Sequence, residues 1–263
     1  ALSSLPRESN TCALGLLRHS DQYLHPREID FAHRSMPKCH FVIPAGGVGL
    51  RFGGPLPKQF VQVEGLPILM HTLRAIAPYA ESITLALPHD YREYWQQVCR
   101  EKSFDLKHKI VEGGATRFLS VRNAIESLAV DPDALIGVHD AVRPLVSGET
   151  IEALLAAAEA SGAAIPYLPL TDSIRHLEPL VGSKSVDRTQ FVAVQTPQVF
   201  HLERLRAAYR QADGGAFTDD ASVYEALYDT PIELVESNPE NKKITHPHDL
   251  LFLRQALNSP ANR

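Results

Sequence analysis

Residues 41–60 read FVIPAGGVGLRFGGPLPKQF, an apolar run that breaks into glycines and then delivers an arginine and a lysine. Phe41, Val42 and Ile43, bounded by Pro44, have the continuous apolar character of a strand covered on both faces of a sheet. Gly46, Gly47 and Gly49 lack the Cβ that holds a backbone away from a ligand, so their N–H groups can turn inward as a nest for phosphate oxygens. Arg51 and Lys58 bring two cations to the same mouth. The plainer alternative is a glycine turn flanked by two solvated charges.

Two better-known glycine motifs are excluded by residue type. A P-loop ends in Gly-Lys-Ser/Thr, whereas Gln59 follows Lys58, so no hydroxyl stands ready for a metal. A dinucleotide loop needs a third glycine and an immediate helix, whereas Leu50-Arg51-Phe52 runs into more Gly and Pro. The remaining pattern of strand, long glycine loop and basic pair resembles the signature of the sugar-nucleotide and alditol-phosphate nucleotidyltransferases. Pro57-Lys58-Gln59 narrows the resemblance to their cytidylyltransferase branch.

Outside this stretch, 263 residues with 44% hydrophobic composition provide for one sizeable core. A formal net charge of -5 gives no global attraction to nucleic acid or to an anionic membrane, so any anion must be met by local cations. No apolar run approaches the roughly 18 residues of a membrane span. Cys12, Cys39 and Cys99 are far apart, which argues against a zinc site or a disulfide framework and fits a reducing cytoplasm. Residues 1–35 show no helical or strand period and suit neither a signal nor a transit peptide. They read as a flexible leader or appended extension, with Met36 as the original start and 36–263 as the functional domain.

From Pro67 onward helices and strands alternate, which predicts an α/β fold with a mostly parallel, doubly wound, Rossmann-like sheet. Ile68 to Ile76 mark a helix, Ile83 to Leu87 a strand, and Tyr91, Trp95 and Val98 the stripe of the next helix. Lys109 to Val111 leads into a second glycine loop, Gly113-Gly114-Ala115-Thr116-Arg117, where Thr116 can cap a helix. Leu135 to Val138 forms a strand ending in His139-Asp140, and Ser147 with Glu149 starts the helix after it. Ala163 to Leu168 and Phe191 to Val194 read as strands, Thr196-Pro197-Gln198 as a turn, and Thr218-Asp219-Asp220 as a capped helix start. Ile232 to Val235 is the last strand, Asn241-Lys242-Lys243 a basic loop, and Thr245, Pro247 and Asp249 open the closing helix.

Asp140, at the carboxyl end of a sheet strand, sits where open α/β folds bind ligands, and it is the best metal candidate. Mg²⁺ takes one or two carboxylates plus substrate phosphates, so a lone aspartate facing a triphosphate suffices. The alternative is that Asp140 caps a turn, and His139 is read as filling the strand end. Residues 171–190, TDSIRHLEPLVGSKSVDRTQ, break the alternation and suggest a protruding β-hairpin arm. Such an arm has little core of its own and would pack most economically on a second copy of the chain, as a homodimer.

Residues 39–257 carry, in order, PAGGVGLRFGGPLPKQF, GGATRFLSV, HDAVRP, DSIR, VDR, QTPQ, TDDAS and NKKIT. Jointly these resemble the 2-C-methyl-D-erythritol 4-phosphate cytidylyltransferases of the non-mevalonate isoprenoid pathway. The resemblance implies transfer of a cytidylyl group from CTP to the sugar-alcohol phosphate with release of pyrophosphate, on a Rossmann-like sheet with a dimerising arm. It implies that Ala45, Gly46, Gly47 and Gly49 wrap the phosphates, that Arg51 and Lys58 meet the triphosphate, and that Asp140 holds Mg²⁺. Gly114 and Ser120 would meet the cytosine edge, with Arg117 supporting their loop. Thr196 and Lys243 would sit by the acceptor, with Lys243 catalytic as well. Ser173 and Arg188 would reach the acceptor phosphate from the partner's arm, near Arg143, and Arg188 would share in catalysis.

Two departures stand out from the pattern. Gly46 replaces the usual second alanine of the first loop, and Ser173 and Arg175 replace the commoner Thr and Lys of the arm. The second departure keeps hydroxyl and charge but bears on acceptor fit. A ribitol 5-phosphate cytidylyltransferase is therefore the nearest enzymatic alternative, and a catalytically dead nucleotide-binding scaffold is a more distant one. No fused cyclase is expected after residue 257.

Overall fold

The computed structural model describes residues 38–47, 52, 56–215 and 217–259. The chain divides into two units, Ala1–Ser35 and Met36–Arg263, and every described residue lies in the second. The expectation for residues 1–35 thus falls outside the described residues.

The first apolar run is β1 (Cys39–Pro44), and the next element is a 3₁₀ turn over Lys58–Phe60. A small ribbon follows, β2 (Gln62–Val63) with β3 (Leu66–Pro67), and then α1 (Ile68–Ile76). The alternation continues through β4 (Ala80–Leu87), α2 (Arg92–Glu101), β5 (Lys109–Glu112), α3 (Arg117–Glu126), β6 (Leu135–Val138), α4 (Gly148–Ser161) and β7 (Ala163–Pro169). Thr116 and Ser147 cap α3 and α4 by accepting from the N–H groups of Leu119 and Thr150, as their side chains predict.

The hairpin consists of β8 (Arg175–Glu178) and β9 (Gly182–Ser185), paired with each other as a separate two-stranded sheet. After it come β10 (Val192–Val194), β11 (Gln198–His201), α5 (Leu202–Gln211), α6 (Asp220–Glu225), β12 (Glu233–Glu236) and α7 (Asp249–Leu257). The turn expected at Thr196–Gln198 is corrected here. The Thr196–Pro197 bond is cis, and Gln198 already belongs to β11, which runs antiparallel between β6 and β7. Pairing with both neighbours satisfies the strand's backbone groups despite the adjacent proline.

The main sheet has the order β10-β7-β11-β6-β1-β4-β5, with β12 also paired to β7. The β1/β4, β1/β6, β4/β5 and β7/β12 pairs are parallel, and the three pairs involving β10 and β11 are antiparallel. Strand period two separates two apolar layers. Phe41 and Ile43 face one side with Leu73, Trp95 and Leu154 from α1, α2 and α4. Val42 faces the other with Val121, Leu205 and Tyr224 from α3, α5 and α6. Each such fully buried side chain is worth about 1.5–3 kcal/mol. Beside Phe41 in β6 the backbone comes so close that a Cβ on Gly137 would lie 2.8 Å from the ring, so only glycine fits. A third, smaller cluster joins Val63, Ile68, Val142, Ile244 and Leu253, and it seats α7 against β2 and the segment that follows β6. Among the described residues no helix is long and apolar enough to cross a membrane.

Candidate active site

Because β1 and β6 are adjacent and parallel, their carboxyl ends open on the same edge of the sheet, as expected for a ligand crevice. A cavity of about 570 Å³ lies there. Its lining includes Ala45, Gly46, Gly47, Lys58, Gly114, Arg117, Ser120, Asp140 and Lys243. Nine residues singled out in four sequence motifs therefore converge on one space. Gly49 and Arg51 lie outside the described residues.

The loop after β1 is held by its own neighbours. Ala45 donates its N–H to the Ala86 carbonyl at 2.9 Å, and the buried Gln59 amide donates to the Ala45 carbonyl at 2.6 Å. Phe60, the next residue in the 3₁₀ turn, is buried against Tyr91, Tyr94 and Trp95, which fixes where Lys58 emerges. The Lys58 ammonium donates to the Ile244 carbonyl at 3.0 Å, tying the basic turn to the loop before α7. In the second glycine loop a Cβ on Gly114 would fall 2.3 Å from the Leu119 Cβ, so glycine is obligatory there. A Cβ on Gly46 would meet nothing closer than the Ser120 hydroxyl at 3.4 Å, so the alanine it replaces would also have fitted. The Ser120 hydroxyl donates to the Thr116 carbonyl at 2.9 Å and accepts the Gly114 N–H at 3.0 Å, so it also shapes its own loop.

Asp140 is the electrostatic centre of the cavity. Lys243 and Arg143 reach its Oδ2 at 3.0 and 3.1 Å, and the Arg117 Nε lies 3.7 Å from its Oδ1. Burial opposes ionisation of this carboxyl, but Lys243, Arg117 and Arg143 overcome it and hold its pKa well below the usual carboxylate range. The backbone N–H of Asp140 donates to the Thr196 hydroxyl at 3.0 Å. That hydroxyl also contacts His139 Nδ1 at 3.0 Å, while His139 Nε2 faces the Arg143 carbonyl at 3.0 Å. A carbonyl can only accept, so Nε2 carries the hydrogen and Nδ1 accepts the Thr196 proton. Burial keeps this ring neutral, lowering its pKa to about 4. His139 thus fills the strand end, as the sequence suggests, and also orients Thr196.

Arg143 and Thr196 stand behind Asp140 rather than in the cavity, and Arg143 also donates to the Asn241 carbonyl at 2.8 Å. Ser173 and Arg188 lie exposed on the arm, outside the cavity lining, with Arg188 bonded to the Thr171 carbonyl at the arm's base. Two supporting residues escape a reading by local motif. Asn241 is fully buried and donates to the Thr196 carbonyl at 2.9 Å. Asp220, expected to cap α6, is instead fully buried under Arg117 and Tyr209, while its neighbour Asp219 makes the cap. The bonds from Asn241 to Thr196 and from Arg117 to Asp220 span 45 and 103 residues, so spacing carried no signal. Among the described residues no group of three or more His, Cys, Asp or Glu could hold a metal, and Asp140 is the sole carboxylate lining the cavity.

Comparison with known proteins gives a consistent result. The family model for 2-C-methyl-D-erythritol 4-phosphate cytidylyltransferase matches residues 39–259. The chain is 49% identical over 223 residues to the enzyme of that name from Porphyromonas gingivalis, covering 84% of this chain and 99% of that protein. It is 47% identical to the one from Bacteroides thetaiotaomicron, covering 81% and 96%. The crystal structure of the Thermus thermophilus enzyme superposes with a TM-score of 0.70 at 36% identity, covering 84% of this chain and 100% of that one. With 4-diphosphocytidyl-2C-methyl-D-erythritol synthase from Anaerococcus prevotii the TM-score is 0.72 at 26% identity, covering 85% and 97%. The chain belongs to the 2-C-methyl-D-erythritol 4-phosphate cytidylyltransferase family.

Proposed function

We propose that this chain transfers the cytidylyl group of CTP to 2-C-methyl-D-erythritol 4-phosphate, releasing pyrophosphate, in the cytoplasm and as a homodimer. The observation that carries the reading is the convergence of Lys58, Arg117 and Lys243 with Asp140 around one glycine-lined cavity. Cations outnumber carboxylates there, which suits a triphosphate and an incoming phosphate monoester that would otherwise repel each other.

In-line phosphoryl transfer asks a protein for positioning and charge neutralisation more than for covalent chemistry. The loop from Ala45 to Gly49 wraps the phosphates, and Lys58 with Arg51 meets the charge that grows on the α-phosphate. Gly114 and Ser120 offer the backbone and hydroxyl groups that meet the cytosine edge. Lys243 holds the acceptor phosphate, Thr196 and Arg143 stand beside it, and Ser173 and Arg188 arrive from the partner's arm. A divalent cation fits the donor set. Asp140 Oδ1 has Arg117 only at 3.7 Å, so one carboxylate oxygen is available to a hard cation whose other ligands are phosphate oxygens and water. Asp140 would hold Mg²⁺, which would supply neutralisation of the phosphate charge.

The test is pyrophosphate release from CTP and Mg²⁺ with each of two acceptors. Methylerythritol phosphate should support turnover and ribitol 5-phosphate should not. Release with ribitol 5-phosphate alone would reassign the acceptor, and release with neither would refute the activity.

A further inference from the structure

We propose that Asp220 and Tyr209 are positioning residues for nucleotide binding, holding the Arg117 guanidinium edge-on so that its Nε side and one face stay turned to the cavity. The proposal rests on reading that cavity as the nucleotide site.

Asp220 is fully buried, and both of its oxygens are engaged. Oδ1 accepts from Arg117 Nη1 at 3.0 Å and from the Tyr209 hydroxyl at 2.6 Å, while Oδ2 accepts from Arg117 Nη2 at 2.6 Å. A two-pronged pair of this kind fixes the plane of the guanidinium as well as its place. Arg117 keeps about a third of its side chain exposed, and its Nε lies 3.7 Å from Asp140 Oδ1. A double clamp on the sequence TDDAS holds Asp220 in this position. Asp219 and Ser222 cap each other across the start of α6. Gln198, from β11, then brackets Asp220 on both sides, its Nε2 donating to Asp219 Oδ2 at 2.8 Å and its Oε1 accepting the Ala221 N–H at 2.9 Å. If Asp220 merely filled the core, an apolar residue would serve, and burying a charge without such a partner would be costly.

CTP affinity measured calorimetrically with Mg²⁺ and without acceptor separates positioning from turnover. Asp220→Asn, which keeps the shape but removes the charge, should weaken CTP binding roughly tenfold. Tyr209→Phe removes one hydrogen bond and should weaken it roughly threefold. In both variants KM for the acceptor should stay within about twofold of wild type, a split that simple loss of stability would not produce. Arg117→Ala is the reference. If it leaves CTP binding unchanged, the nucleotide-site reading fails and this proposal with it. If it weakens binding while folded Asp220→Asn and Tyr209→Phe bind as wild type, only the positioning role is overturned. Should Asp220→Asn fail to fold, Tyr209→Phe decides alone.

Discussion

Around Asp140, charged side chains are pinned by residues distant in the chain, whereas along the hairpin β8–β9 the bonds run within the hairpin itself. Lys58 reaches Ile244, Arg117 reaches Asp220, and Arg143 reaches Asn241. On the arm, Arg175 bonds to Ser183 and Lys184 pairs with Glu178, while Leu177, Leu180 and Val181 stand exposed. One region is preorganised by its own fold, which is what charge stabilisation in a transition state requires. The other is a two-stranded ribbon with apolar side chains in water, marginal alone and suited to completion by another surface. In the proposed homodimer, damage to the cavity should appear within one subunit, and damage to the arm in its partner.

The largest effect should come from the cavity. Lys58→Ala removes a contact to charge that develops only during transfer, which costs about 3 to 4 kcal/mol, or roughly a hundred- to thousandfold in turnover. Turnover within about threefold of wild type would remove the transition-state role from Lys58. Next in size is the metal requirement. Asp140→Asn keeps the shape and removes the charge, so the Mg²⁺ concentration for half-maximal turnover should rise by roughly tenfold. An unchanged Mg²⁺ titration would remove Asp140 from the cation site.

Stability should show a smaller effect with a defined pH window. Buried His139 titrates near pH 4 when folded but near 6.5 when unfolded. Between those values the unfolded chain takes up a proton that the folded chain refuses, so stability falls as pH drops from about 6.5 to about 4, by about 3 kcal/mol in total. Asp140 contributes in a separate, more acidic window, since its depressed pKa gives stability that is lost only below the ordinary carboxylate range. Denaturant titrations across pH 4 to 7 should show this slope, and His139→Gln should flatten it. Excision of residues 174–186 should leave it intact, because the arm contributes nothing to that ring's surroundings.

What was legible in the sequence follows the same divide between local and distant causes. The cap residues Thr116 and Ser147, the strand before the glycine loop and the aspartate after β6 are set by neighbours within a few positions, and each reads directly. The hairpin reads as well, because turn residues interrupt the alternation. β11 does not, since Thr-Pro-Gln has the composition of a turn and its strand character depends on two flanking strands. Asp220 follows a helix-start pattern, and only the fold, by bringing α3 against it across 103 residues, gives it a different partner. Nor could sequence tell that Lys243, Arg143 and Arg117 all meet at one carboxylate.

The division of labour is tested most directly by mixing two damaged proteins. Lys58→Ala harms the cavity and Arg188→Ala harms the arm, so pure dimers of either should be poor. In a mixed dimer with crossed arms, one site collects both lesions and the other collects neither. With random re-association, roughly a quarter of wild-type activity should return once subunits exchange. If exchange is confirmed by an independent label and activity stays at the level of the single mutants, Arg188 serves its own subunit and the divided site is wrong.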